Sequence, residues 1–199
     1  MSFEITGDNV SLDALWQVAW GDEPVALAPS ARQRVDNSRQ FIERSASDGQ
    51  VIYGVNTGFG AFSSVRISHT DLRKLQVNLI RSHCVGVGDL FSVPEARAIL
   101  LLRASMLARG HSGVRAVVIE KLLEFLNHGI APVIPRQGSV GASGDLAPLA
   151  HVGLALIGEG EVFHRGRRVP TPQVLQELGL EPLVLEAKEG LSIINGCQV

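Results

Sequence analysis

Cysteine is scarce in this 199-residue chain: Cys84 and Cys197 are all it has. Two isolated thiols make neither a disulfide framework nor a C-x-x-C metal pair, so they read as buried or idle thiols in a reducing compartment, and no metal site is expected. A large excess of either charge is missing too. The formal net charge is −2, and the one basic run, Arg165-Gly166-Arg167-Arg168, reads as a turn. A nucleic-acid partner, which usually needs a basic patch, is therefore not expected. No apolar run reaches the roughly 18 residues of a membrane span. The N-terminus lacks the basic and apolar segments of a secretory leader. No membrane partner and a cytoplasmic location follow as expectations. What is present is ordinary core material: 45% hydrophobic and 19% charged residues, which excludes disorder and suits one large domain or two small ones.

Periodicity predicts a mainly α chain. Ser11 can cap a helix to Trp20 with Leu12, Leu15, Trp16 and Ala19 on one face, the two tryptophans serving core or subunit contact. Ser30 with Gln33 suggests a capping box for a helix to about Ala46, with Val35, Phe41 and Ile42 inward. A helix opened by Ser68 or Thr70 carries Leu72, Leu75, Leu79 and Ile80, and ends near Ser82-His83-Cys84. Ser92, Pro94 and Glu95 mark the start of another, which runs to about Ala108. The next spans about Val114 to Asn127, with Val117, Val118, Leu122, Leu123 and Leu126 as its apolar set. A small hairpin around His164-Arg165-Gly166 and a short helix from Thr171-Pro172 to Gly179 follow.

Gly138-Ser139-Val140-Gly141-Ala142-Ser143-Gly144-Asp145 is different. Small residues feed directly into a helical pattern at Leu146, Leu149, Val152 or Gly153, and Leu156. An anion-cradling loop is one reading. The P-loop, G-x-G-x-x-G and G-x-S-x-G spacings all fail. A chemical reading is that the Gly144 nitrogen, free of side-chain bulk, attacks the Ala142 carbonyl and closes a five-membered ring; loss of the Ser143 hydroxyl then leaves an exocyclic methylene. Glycine is required there because the bend lies outside what bulkier residues tolerate cheaply. A second glycine-punctuated stretch, Val51-Ile52-Tyr53-Gly54-Val55-Asn56-Thr57-Gly58-Phe59-Gly60, opens as a short strand and becomes a loop. It reads either as a surface loop or as a lid carrying a phenol. His83, at a helix C-terminus, suits a dipole cap, and Asn195 alone suits a helix or turn cap.

The string Gly141 to Ala150 resembles the signature of the aromatic amino acid ammonia-lyases, and Tyr53 to Gly60 resembles a second motif of that family. Glu189-Gly190-Leu191-Ser192-Ile193-Ile194-Asn195-Gly196-Cys197 is similar to a third, with Cys197 where threonine is usual. A thiol is the weaker hydrogen bonder, which puts ring support at that point in doubt. The resemblance spans about residue 10 to 199. It implies that Ala142, Ser143 and Gly144 form the 4-methylideneimidazole-5-one (MIO) group, with Ser143 supplying the methylene. It implies Tyr53 as the acid/base, His83 as a contact to the substrate side chain, and Asn195 as a ring-orienting and substrate contact, with Asp145 supporting the ring. The Ser82-His83 pair tilts the substrate toward histidine, giving trans-urocanate and ammonia.

Family subunits are more than twice this length. The chain is therefore expected to be the N-terminal part, residues 1–199, of a helical lyase fold with short strands and a small hairpin, its C-terminal bundle missing. Alone it is expected to be inactive and to associate, either in a homotetramer or with a complementary C-terminal polypeptide. Three rivals stay open: a phenylalanine/tyrosine lyase or MIO aminomutase, a non-catalytic subunit of a split lyase, and an anion-binding domain.

Overall fold

A computed structural model describes residues 2–47, 52, 54–58, 67, 69–139, 144–197 and 199. Its centre is α4 (Val93–Ala108). Ser92 starts this helix by accepting from the Glu95 amide while the Glu95 carboxylate takes the Ser92 amide, with Pro94 in the first turn, as the sequence predicts. Ala96, Ile99, Leu100, Leu101, Ala104, Leu107 and Ala108 are all buried, the pattern of a helix enclosed on every side. Around it pack α1 (Leu12–Ala19), α2 (Pro29–Ser47) and α5 (Ala116–Asn127). Even Arg97 is buried. Its guanidinium donates to the carbonyls of Val18 (2.8 Å) and Ala19 (3.2 Å), orphaned acceptors at the end of α1, and to that of Leu126 (3.1 Å) near the end of α5, which also takes the Gly129 amide.

Among the described residues, three small sheets tie the helices together. β1 (Phe3–Ile5) and β2 (Val25–Leu27) pair in parallel. The third sheet joins β4 (Ala131–Pro132), β6 (Glu161–His164) and β7 (Arg167–Pro170). The predicted β6–β7 hairpin turns through Arg165 and Gly166, both at positive φ, as its tight two-residue connection requires. β3 (Val87–Leu90) pairs antiparallel with β5 (Pro135–Gln137), which lays the exit from the His83 helix beside the entry to the Gly138–Asp145 loop. The remaining helices are α3 (His69–His83), α6 (Leu146–Leu156), α7 (Thr171–Leu178) and α8 (Glu189–Ile194). α3, α6 and α8 pack on one another.

Several expected faces are different. α1 buries Ala14, Val18 and Ala19, while Leu12 is 84% and Trp16 61% exposed. Small Ala14 lets α1 approach α4 closely. The tryptophans lie outside the core and stack on each other, centroids 4.5 Å apart. α2 starts at Pro29, one residue before Ser30, so no Ser30–Gln33 box forms; Gln33 bonds Asn37 instead. Phe41 (64% exposed) and Val117 face outward. α5 begins at Ala116, two residues late, because Arg115 is held extended by its bonds to Glu189. Of the expected strand opening, Val51 and Tyr53 lie outside the described residues. Gly54–Asn56 form a turn, and Gly54–Gly58 are buried rather than on the surface.

Candidate active site

Tyr53, Ala142 and Ser143 lie outside the described residues; Gly144, Asp145, His83 and Asn195 lie within them. α3 and α8 end, and α6 begins, in one neighbourhood. Asn195 follows the last residue of α8 and is the helix C-cap, as its residue type suggested. Gly196 then presents its carbonyl to the Asp145 amide at 2.7 Å. The same oxygen occupies the space beside Gly144: a Cβ there would sit 2.6 Å from it, and Gly144 has φ +133. Only glycine fits. On the α3 side, Gly86 and Gly138 are in close contact, and Gly138 also touches Ala147 in the first turn of α6.

Asp145 stands at the N-cap of α6, but its side chain caps nothing. Its carboxylate instead accepts from the Ser139 hydroxyl (3.0 Å) and the Val199 amide (2.9 Å). The Ser139 hydroxyl also lies 3.0 Å from the Gly144 carbonyl. The loop start, the α6 entrance and the segment after Asn195 are thus drawn onto one carboxylate, at a helix end where negative charge is favoured.

His83, half-buried, is the last residue of α3. Its Nδ1 is 2.8 Å from the Leu79 carbonyl, which can only accept, so Nδ1 carries the proton. Ser82 Oγ donates to that same carbonyl at 2.9 Å and lies 3.1 Å from Nδ1, so its oxygen can receive only the Nδ1 hydrogen. Nε2 of the neutral ring is then the acceptor nitrogen. His83 thus bonds back onto its own last turn, and in the neutral ring this fixes the tautomer.

Sequence reasoning passed over four groups. Gln76 is fully buried on α3, and its side-chain oxygen accepts from the Leu191 amide (3.2 Å) at the start of α8. Glu189 is fully buried. It takes Arg115 through both carboxylate oxygens (2.9 and 2.8 Å), together with the Arg115 and Glu186 amides. Arg103, 3% exposed, reaches from α4 to the Ser192 carbonyl in α8. Its signal was legible: a lone cation inside Ile99-Leu100-Leu101-Leu102-Arg103-Ala104. His151 on α6 has a buried Nε2 with no hydrogen-bond partner among the described residues, and burial lowers its pKa so that the ring stays neutral. Cys84 is inert, its thiol pushed up to about 12 by burial and then by the charge of Glu159. Among the described residues no group of His, Cys, Asp and Glu could hold a metal ion, and no helix is long and apolar enough to cross a membrane. A cavity of about 510 Å3 lies apart from these residues, lined by Val77, Ile157 and Leu183, with Arg73 and Arg81 at its edge. Both arginines are held in ion pairs, with Glu186 and Glu159.

A family model described as aromatic amino acid lyase matches residues 10–199. Histidine ammonia-lyase of Geobacillus thermodenitrificans is 52% identical over 194 residues, covering 98% of this chain and 38% of that protein. Among solved structures, histidine ammonia-lyase of Trypanosoma cruzi superposes with a TM-score of 0.91 at 37% identity, covering 100% of this chain and 38% of that one. Tyrosine aminomutase of Streptomyces globisporus gives 0.91 at 43% identity, covering 100% and 37%. The chain spans a little over a third of the length of the relatives it matches.

Proposed function

The chain belongs to the aromatic amino acid lyase family, and from that premise we propose that it is the ring-forming part of an ammonia-lyase that removes ammonia from L-histidine to give trans-urocanate. The observation that carries this is the meeting of Gly144 with Gly196. Three motifs far apart in sequence are expected to build one site. Here the signature string and the third motif are clamped backbone to backbone at Gly144 and Gly196, with no room for a Cβ.

The residues present fit an MIO group made from Ala142, Ser143 and Gly144. Gly144 at φ +133, wedged over a carbonyl, has the freedom the cyclisation needs. The bond that forms joins the Gly144 nitrogen to the Ala142 carbonyl carbon. Two waters leave, one with the Ala142 oxygen and one with the Ser143 hydroxyl. Ser139 and Asp145 hold the loop from either side of this bond, and Gly196 fixes the Asp145 amide. Once formed, the ring supplies an electrophilic carbon that takes up electron density from the substrate amino group and makes ammonia a better leaving group.

The chain's own groups do the rest. Tyr53 is the proposed base for the β-proton; general acid–base help is worth roughly 10²–10⁴-fold. The turn next to it is anchored by the Asn56 side chain on the Ile52 amide (2.8 Å) and by Thr57 on the Gly54 amide (3.2 Å). His83, with its proton fixed on Nδ1, offers Nε2 as an acceptor, which matches an imidazole N–H of a histidine substrate. Asn195 is proposed to contact both ring and substrate. The missing groups of the site come from elsewhere in a larger assembly, a homotetramer or a complementary polypeptide, in the cytoplasm.

The test is the intact mass of the purified chain with peptide mapping across Ala142 to Gly144, beside Gly144→Ala. The expected result is a deficit of two waters confined to that tripeptide and absent from the variant. An unmodified wild-type mass overturns ring formation in this chain. Similarity to tyrosine aminomutase favours one second reading, re-addition of ammonia at the β-carbon. A β-amino acid among the products of the assembled enzyme would select it over urocanate.

A further inference from the structure

Two buried arginines on α4, less than two helical turns apart, do parallel work for different neighbours. Arg97 caps α1 and α5 within the scaffold. Arg103, further along the helix, donates to the Ser192 carbonyl. That carbonyl is an orphan. Its natural helical donor, the Gly196 amide, bonds Ile194 instead (3.1 Å), and the Asn195 amide bonds Leu191 (2.9 Å). The chain therefore leaves α8 early and swings Gly196 toward α6. A buried cation at the negative end of a helix is the group that compensates such an unwound turn. Arg103 also lies close to Cys197, one residue beyond Gly196. Burial lowers its pKa to about 10, which leaves it charged at neutral pH.

We propose that Arg103 is a positioning residue for the ring-forming loop: by holding the Ser192 carbonyl it fixes the turn through Asn195 and Gly196, and Gly196 in turn braces Gly144 and Asp145. The proposal rests on the ring-forming reading of residues 142–144. The path is short and contiguous. It runs from α4 through the guanidinium to Ser192, through three residues to the Gly196 carbonyl, and from there to the Asp145 amide and the Gly144 Cα. Bending Ala142–Gly144 toward ring closure pushes on this brace, so a yielding Gly196 would relieve the bend without forming the bond.

The experiment compares the full wild-type chain with Arg103→Met, Arg103→Lys and Arg97→Met, reading the two-water deficit by mass and amide hydrogen exchange across 144–149 and 191–197. In Arg103→Met the ring-bearing fraction at a fixed time after synthesis is expected to fall by roughly tenfold, the scale on which small misplacements of reacting groups act. Faster exchange should be confined to those two segments. Arg103→Lys, which keeps a donor and a charge, should restore a large part of both. Arg97→Met should lower stability yet leave the ring fraction of folded protein unchanged. A ring fraction in Arg103→Met equal to wild type overturns the proposal. So does an equal loss in Arg97→Met, which would mark a general loss of stability. If wild type itself carries no ring, the ring-forming reading fails for this chain, and exchange decides the brace. Loosening of 191–197 that spreads to 144–149 supports it, and loosening that stops at 197 overturns it.

Discussion

Phe125, Leu100 and Leu107 fill the α4–α5 half of the chain with buried side chains. Around α3, α6 and α8, Ile80, Leu149, Leu156 and Ile193 are buried as well, but the elements also meet where side chains are missing. Gly190 lets α8 rest on the Gln76 carbonyl, Gly144 sits on the Gly196 carbonyl, and Gly86 meets Gly138. The first half is a packed scaffold, in which a change of volume is felt as a cavity. The second is a set of backbone joints with no give, in which one added methyl group collides with main chain. Stability is concentrated in the first half and geometry in the second, which is where a ring built from backbone atoms would need it.

The largest loss of stability is therefore expected in the scaffold. Phe125→Ala should cost about 4 kcal/mol by chemical denaturation, the sum of lost burial and an unfilled cavity. Its folded fraction should still carry the two-water deficit. A ring lost together with stability would erase the distinction between the halves.

Gly190→Ala sharpens the distinction from the other side. Alanine is worth up to about 1 kcal/mol more than glycine inside a helix. The new Cβ would lie 2.6 Å from the Gln76 carbonyl oxygen, a backbone atom that cannot swing aside. Overpacking of this kind costs typically about 1–3 kcal/mol, so a net loss of about 1 kcal/mol is expected in the same denaturation experiment. Because α8 is displaced, the ring-bearing fraction should fall although less stability is lost than in Phe125→Ala. A neutral or stabilising Gly190→Ala would show that α8 moves freely, and would end the account of the site as a rigid joint.

The same division decided what the sequence disclosed. The start of α4 was legible because Ser92, Pro94 and Glu95 act locally, and the β6–β7 hairpin because a two-residue turn is written in its own residues. Faces were harder. On α1 both Leu12–Trp16 and Ala14–Val18 are apolar stripes, and the smaller one is buried because it packs closer to α4. Phe41 and Val117 were placed inward by periodicity alone, although nothing large covers them. At the site, the motif strings named Gly144, Asp145, His83 and Asn195, but not what holds them. Ser139 looks like loop filler, and Gln76 reads as a polar interruption of an apolar face. The Gly196 carbonyl has no side chain to announce it. Backbone acceptors and their partners follow from how distant elements meet, and no local pattern records that.

The smallest expected effect lies at the joint between the halves. Glu95 closes the α4 cap and also pairs with Arg136 of β5, at 2.6 Å, on the strand that leads to the Gly138–Asp145 loop. The Ser92 hydroxyl and then its amide, with Arg136 adding to them, hold the Glu95 carboxyl at about 2 against an ordinary 4.5. The folded value is the lower one, so the ionised carboxylate stabilises the fold at every pH above about 4.5. That contribution drains away as pH falls from about 4.5 toward about 2. Glu95 is open to solvent, so screening should keep it below about 1 kcal/mol. Glu95→Gln should therefore be slightly less stable than wild type at neutral pH, with the gap closing across that acid window in denaturation curves taken at stepped pH. A gap independent of pH would assign the loss to the cap geometry rather than to the charge. A fall in ring-bearing fraction in this variant would mean that the scaffold reaches the loop through β5 as well as through Arg103, and the two halves would then be one mechanical unit.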